Sequence, residues 1–320
     1  MRVLLTGGNG MLARSVRAAW VEHGAVGELI PVSRTDADLR DAVATRELFE
    51  RVKPGVVIHA AAKVGGIAAN IADPTSFLMD NLQLDSSVLE AARAVGTRNF
   101  LYLGSSCMYP KDYRQPLVES DILAGPLEPT NEGYALSKIV AAKYCEYASR
   151  QFGLNYKVII PSNLYGPDDD YSLSFGHLVA ATIAKAHAAK VAKSASIDVW
   201  GDGTARREFT FVGDLAMWIV KNLGSMEAWP DLMNVGFGED HSVLDYYRMA
   251  LGVVGYESEL VTDPSKPVGM HQKLMNSELA RRHGWAPTTG MIQGMGIAYE
   301  RYLVSIAESE TPTRWSEPKR

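Results

Sequence analysis

Ser105, Tyr134 and Lys138 form a set whose types and spacing suit the reduction of a carbonyl. Tyr134 and Lys138 are four residues apart, so on a helix they share one face and the ammonium can stand beside the phenol. A free tyrosine titrates near ~10 and is a weak acid at neutral pH unless a neighbour favours its ionised form. Lys138 is expected to supply that cation, and Ser105 a hydrogen bond to the same oxygen. Such a phenol polarises a ketone and hands it a proton while a hydride arrives. Tyr-x-x-x-Lys alone also fits an ordinary solvated helix face. Its meaning comes from the serine upstream, at a strand end, and from what opens the chain.

The chain opens on a dinucleotide fingerprint. An apolar strand over 2–6 runs directly into Gly7-Gly8-Asn9-Gly10-Met11-Leu12-Ala13, a G-x-x-G-x-x-A turn leading into a helix that reaches about Glu22. The glycines permit a tight turn and close approach of a diphosphate to the helix N-terminus, and Ala13 permits close helix-strand packing. Gly7, Gly10, Met11 and Leu12 are therefore expected against a cofactor, as are Ala60, Ala61 and Ala62, small residues after a strand over 56–59. His59, at the end of that strand, reads as a packing residue. After the second strand, over 28–32, an acid would accept bonds from a ribose hydroxyl, but Ser33-Arg34 offers a cation suited to a ribose 2′-phosphate. NADP(H) is expected on that ground, with Asp38 as an acceptor for the adenine amine. Arg34 also fits a solvated loop.

These residues need a scaffold, and the alternation of strand and helix supplies one. Helices are expected over 45–52, 74–95, 132–153, 178–190 and 214–223, and further strands over 100–103, 157–161 and 197–200. The pattern is that of an α/β protein, a doubly wound parallel Rossmann sheet with a smaller α/β substrate-binding domain. The expected division gives 1–162 and 205–235 to the dinucleotide, 163–204 and 236–307 to the substrate, and 308–320 to a frayed tail. Residues 63–67 are expected as loop. The proline-rich stretch over 110–129 is long for a connection inside a compact domain, and such loops usually serve the site.

Composition narrows the partners. The chain has 320 residues, 47% hydrophobic and 22% charged, as in ordinary globular proteins. A net charge of -5 and a pI near 5.8 argue against nucleic acid or an anionic membrane surface as partner. Two cysteines make no disulfide framework, no apolar run is long enough for a bilayer, and no signal peptide is expected before the first strand. A cytoplasmic protein with reduced thiols and no metal-ligand set is expected.

Several further motifs occur in order: Gly104-Ser-Ser-Cys-Met-Tyr-Pro-Lys111, Leu127-Glu-Pro-Thr-Asn-Glu132, Asn163-Leu-Tyr-Gly-Pro167, Val199-Trp-Gly201 and Arg207-Glu-Phe209. With Tyr134-x-x-x-Lys138 they make the chain resemble, from its first strand to about Trp285, the GDP-L-fucose synthases. These are GDP-4-keto-6-deoxy-D-mannose 3,5-epimerase/4-reductases of the extended short-chain dehydrogenases. The resemblance implies Ser105, Tyr134 and Lys138 as the reductase set, Lys138 also as a cofactor-binding residue, and Cys107 and His177 as the acid/base pair for epimerisation. A ketone at C4 acidifies the protons on C3 and C5, so one base and one acid can invert both centres through an enolate stabilised by Tyr134.

For the GDP-linked sugar, the resemblance implies Asn163, His177, Lys185, Trp200, Arg207 and Lys273. Lys185 stands where the family usually has arginine, Phe211 and Gly213 replace a histidine and an aspartate, and the stretch over 266–273 departs from the family's Lys-Pro-Asp-Gly. NADPH as cofactor and a homodimer through the helices over 74–95 and 131–153 are likewise implied. Cys107 read by itself fits a small buried hydrophobe, as Cys145 does, and His177 fits a helix cap. A 4-reductase without epimerisation, an enzyme acting on another nucleotide-linked 4-keto sugar, and a non-catalytic dinucleotide-sensing module stay open alternatives.

Overall fold

A computed structural model describes residues 1–172, 176–266 and 269–310, so most of the expected tail lies outside the described residues. The strands β1 (Arg2–Thr6), β2 (Glu28–Val32), β3 (Val56–His59), β4 (Asn99–Leu103) and β5 (Asn155–Pro161) join β9 (Leu232–Val235) in one parallel sheet, ordered β2-β1-β3-β4-β5-β9. Side chains alternate across a strand, and each face buries its own set. Leu4, Val57, Phe100 and Tyr102 point to the layer of α2 (Ala42–Val52), α4 (Pro74–Ala94) and α5 (Glu132–Phe152). Val3, Leu5, Ile58 and Leu101 point to the layer of α1 (Met11–Glu22) and α7 (Val212–Asn222). Both faces being covered explains why these strands read as continuous apolar runs.

The order reverses between β1 and β3, which leave the sheet side by side with Thr6 opposite His59. Such a switch point opens a crevice at the carboxyl ends of the strands. The chain after β3 is held along it by buried Asn81, which accepts from Lys63 N at 2.8 Å and donates to Lys63 O and Phe77 O at 3.0 and 2.7 Å. Residues 63–66 run as loop, as expected, and Ile67, the last residue of that expected loop, opens α3 (Ile67–Ala72). Helix α2 begins at Ala42, before the expected Thr45, because the Asp41 carboxylate caps Val43 N and Ala44 N.

A second layer stands over the crevice. Strand β8 (Arg206–Phe211) pairs with β6 (Asn163–Tyr165), β10 (Asp240–Ser242) and β12 (Gln272–Lys273), while β7 (Ser196–Trp200) pairs with β11 (Glu259–Asp263). Helices α6 (Leu178–Ala192), α8 (Val243–Val254) and α10 (Met291–Glu310) pack around Tyr165, Ile183, Phe209 and Tyr246, and the short α9 (Glu278–Arg282) packs by β9. Residues 206–211, expected with the dinucleotide part, thus hydrogen-bond in the smaller sheet, and the chain returns to the larger one through α7 and β9. The proline-rich stretch straps the layers together: Leu117 N donates to Leu274 O and Asn276 N to Leu117 O, both at 2.8 Å, and Glu119 accepts from Asn234 N at 2.7 Å. Among the described residues no helix is long and apolar enough to cross a membrane.

Candidate active site

The two layers enclose a cleft of about 850 Å³, and every catalytic, cofactor and substrate residue expected from the sequence lines it. At one end is the glycine turn. Gly7 has φ +71°, and a Cβ there would come within 2.9 Å of the Ala61 backbone, so the first turn and the segment after β3 fit only without a side chain. Gly10 caps α1 with no side-chain bond, leaving the backbone N–H groups at Met11 and Leu12 as donors for an anion. Ala60, Ala61 and Ala62 form the facing wall. These features fit a dinucleotide diphosphate.

Farther along, Arg34 is exposed at the cleft edge, in a turn where Ser33 N and Oγ donate to Asp36 at 2.8 and 2.9 Å. Asp38 is engaged by Arg40, whose Nε and Nη2 donate at 3.0 and 2.7 Å, and this holds its carboxyl at about 2. A carboxylate has roughly four lone-pair sites, so Asp38 keeps acceptor capacity beyond Arg40.

At the centre, β4 ends in Leu103 and turns, delivering Ser105 and Cys107, while α5 supplies Tyr134 and Lys138. Lys138 is 2% exposed, donates to Leu103 O at 3.0 Å, and lies 4.6 Å from the Tyr102 ring centroid and 5.9 Å from that of Tyr134. The phenol of Tyr134 is pushed well up by desolvation and by the neighbouring Cys107 and Asp85, against a hydrogen bond from Ser105. The expected lowering by Lys138 does not prevail, because burial dominates and the ammonium is anchored on a carbonyl. A neutral phenol is nonetheless the form needed to donate a proton.

Cys107 is part-buried, unlike the fully buried Cys145. Asn131 Nδ2 donates to its sulfur at 3.1 Å, and Lys273 Nζ lies 3.9 Å from it. The site also takes in Glu128, 6% exposed, whose charge favours the Arg207 cation against the desolvation that lowers it. Arg207 and Lys273 are register partners on β8 and β12. His177 stands at the N-cap of α6 but makes no capping bond with its side chain, and desolvation holds its imidazole below the usual range despite Asp170.

The remaining residues expected at the sugar nucleotide come from the upper layer. Asn163 opens β6, Trp200 ends β7 with 42% of its surface exposed, and Lys185 reaches from α6 to Asp198 O at 2.9 Å and Tyr247 Oη at 3.0 Å. Asn131, Glu128 and Tyr247 were not legible as site residues; Asn131 and Glu128 lie inside the Leu127–Glu132 motif, which was the available signal. Asp169 was missed as well. Burial pushes its carboxyl up to about 7, and its Oδ2 has no hydrogen-bond partner among the described residues.

Residues 3–236 match the model of the NAD dependent epimerase/dehydratase family. The GDP-L-fucose synthase of Azorhizobium caulinodans is 44% identical over 302 residues, covering 94% of this chain and 96% of that protein. The GDP-L-colitose synthase of Yersinia pseudotuberculosis is 40% identical, covering 95% and 98%. Among solved structures, the GDP-mannoheptose C4 reductase of Campylobacter jejuni with NADP bound has a TM-score of 0.86 at 26% identity, covering 94% of this chain and 98% of that one. Fold, cleft and sequence agree: the chain belongs to the NAD dependent epimerase/dehydratase family, among the extended short-chain dehydrogenases related to the GDP-L-fucose synthases.

Proposed function

We propose that this chain is an NADPH-dependent enzyme that inverts C3 and C5 of a GDP-linked 4-keto-6-deoxy sugar and reduces its C4 ketone, giving GDP-L-fucose or a close relative. The observation that carries the reading is that Ser105, Tyr134 and Lys138 share one cleft with Cys107 and His177. Reduction needs the first three. The second pair has work to do only if protons leave and rejoin carbon.

In this reading Gly7, Gly10, Met11 and Leu12 hold the cofactor diphosphate, Ala60, Ala61 and Ala62 let it pass, Arg34 meets the 2′-phosphate and Asp38 the adenine. NADPH, when bound, supplies the hydride. Tyr134, steadied by Ser105, first stabilises the enolate oxygen at C4 and later gives its proton to the reduced oxygen, with Lys138 offsetting the charge left on the phenol. Cys107 takes the carbon-bound proton and His177 returns one, while Asn131 and Lys273 aim donors at the sulfur. Trp200 stacks on the base, Arg207 and Lys185 meet the diphosphate, and Asn163 holds the sugar.

The division of labour follows: 1–162 with 205–235 serves the dinucleotide and 163–204 with 236–307 the sugar nucleotide, β8 adding to the smaller sheet. A homodimer fits the exposed row of Leu136, Val140 and Tyr147 on α5 beside Met79 on α4, which a second copy would cover. A 4-reductase without inversion is the second reading, favoured by the likeness to the C4 reductase. A dinucleotide sensor has no use for the intact Ser105, Tyr134 and Lys138 set.

The deciding experiment incubates the protein with NADPH and GDP-4-keto-6-deoxymannose in D₂O, with UDP-linked and dTDP-linked 4-keto sugars as comparators, and reads product stereochemistry by NMR. Deuterium at C3 and C5 of an L-configured GDP product is expected. Reduction with neither carbon labelled selects the simple reductase, and no NADPH oxidation with any of these sugars rejects both enzyme readings.

A further inference from the structure

Beneath the cleft, a row of buried polar groups joins the dinucleotide turn to Lys138. Ala61 N–H donates to Thr6 Oγ1 at 3.1 Å, and Thr6 Oγ1 and His59 Nδ1 are 2.7 Å apart. His59 Nε2 is 3.0 Å from Asp85 Oδ1, and the Tyr102 hydroxyl donates to Asp85 Oδ2 at 2.6 Å. Thr6, His59 and Tyr102 are fully buried and Asp85 is 2% exposed. Asp85 as a carboxylate only accepts, so the neutral ring carries its proton on Nε2, facing Asp85, and Nδ1 is left to accept the Thr6 hydroxyl proton. The row is satisfied with a neutral imidazole, in keeping with the burial that holds His59 below its ordinary range.

Asp85 is then a full negative charge in the interior, bound by two neutral donors. Neutral donors orient a carboxylate but do not cancel its charge, and an unmatched buried charge is very costly. Lys138, itself 2% exposed, lies over the ring of the same Tyr102 that donates to Asp85, so a cation shares the carboxylate's buried surroundings without a direct ion pair to it. Each is the foremost charge favouring the ionised form of the other against burial. The other titratable groups turned toward the pair are Tyr134 and Cys145 from α5, His59 from β3 and Tyr102 from β4, and burial keeps all four neutral.

We propose that Asp85 is a positioning residue for the reduction step: its carboxylate, oriented by His59 and Tyr102, is the countercharge that keeps Lys138 an ammonium under the Tyr134 phenol. The inference rests on the reductase reading of Tyr134 and Lys138. A lysine this deep sheds its proton readily without a partner, and a neutral amine does nothing for the phenolate that forms as Tyr134 gives up its proton. The same carboxylate also makes Tyr134 harder to ionise. Asp85 thus acts on both neighbours in one direction, holding phenol and ammonium in the protonated state from which reduction starts.

The test uses the full chain with the substituted protein Asp85→Asn, which keeps the shape and removes the charge. With the carboxylate gone, both Lys138 and Tyr134 lose protons at lower pH. The alkaline limb of the kcat profile for reduction should move down by about one pH unit or more, with kcat at about pH 8 reduced roughly tenfold and restored toward pH 6. KM for NADPH should stay within about threefold of the native value, since the shape of the side chain is kept and Asp85 does not line the cleft. His59→Leu removes one donor to the carboxylate but leaves its charge, so its limb should move clearly less than that of Asp85→Asn. A limb that does not move in Asp85→Asn, or that moves equally in both variants, overturns the proposal.

Should Asp85→Asn not fold, ¹³Cε NMR of lysine-labelled native protein reads the charge of Lys138 directly. An ammonium at about pH 7.5 is expected, and a neutral amine there overturns the proposal. That spectrum needs no turnover, so a native protein with no reductase activity would refute the function without deciding the role of Asp85.

Discussion

Cys107 and Lys273, 166 residues apart in the chain, meet with 3.9 Å between sulfur and ammonium nitrogen. The proline-rich strap makes the meeting possible, because Leu117 pairs with the backbone at Leu274 and Asn276 and so carries β12 over the turn that holds Cys107. Asn131 approaches the same sulfur from the start of α5. The sulfur that the proposed inversion would use therefore has two donors aimed at it from separate elements.

The first prediction follows from that arrangement. Cys107→Ser replaces a thiol that reaches the thiolate by an alcohol that scarcely ionises, so deuterium incorporation at C3 and C5 in D₂O should nearly vanish. Reduction at C4 should persist more strongly, giving a product with the substrate's original configurations. Lys273→Met should slow exchange by about tenfold, a loss typical of one charge-assisted contact. Exchange at the native rate in Cys107→Ser, measured by NMR, would remove the thiol from the mechanism.

Tyr134→Phe removes the hydroxyl and keeps the ring, so the fold should survive. NADPH oxidation with the keto sugar should fall by at least ~100-fold, the scale of a lost general acid. Near-native turnover followed at the nicotinamide absorbance would show that another group donates the proton.

Arg34 stands exposed at the cleft edge, where the proposed reading has it meet the 2′-phosphate. Arg34→Ala should raise KM for NADPH by about tenfold, one charge-assisted phosphate contact, and change NADH little. Equal use of NADPH and NADH by the unmodified protein would remove Arg34 from cofactor choice.

Glu208 makes stability depend on pH. It is 2% exposed and accepts from Gly238 N at 2.7 Å and Met275 N at 3.0 Å, yet desolvation pushes its carboxyl up to about 7. A folded-state value above the unfolded one means that the folded protein holds the proton longer, so this contribution is present below about pH 4.5 and is lost as pH rises through about 7. The stability of the native protein relative to Glu208→Gln, from urea unfolding, should decline by roughly 3 kcal/mol over that window. A difference that is flat, or that grows with pH, would show that the two backbone donors outweigh burial.

The sequence by itself determined the larger sheet and the grouping of the proposed reductase set. Strands β1, β3, β4 and β5 are buried on both faces, so each reads as an apolar run, and β1 and β4 run straight into glycine turns that local rules read directly. Tyr134 and Lys138 were legible because a helix sets their spacing. The smaller sheet was not: β10 reads Asp-His-Ser and β12 Gln-Lys, segments too short and too polar to carry a period, and they become strands only because β8 lies between them.

Tertiary structure also decided what surrounds each group. Asp85 is one acid in an amphipathic-looking helix until β3 brings His59, β4 brings Tyr102 and α5 brings Lys138 against it. Tyr134 was expected to be lowered by Lys138, but whether a neighbouring charge or burial governs a phenol depends on distance and solvent, which spacing along one helix does not contain. Pairings such as Cys107 with Lys273 join residues far apart in the chain, and they exist only once the strap and the two sheets have closed over the cleft.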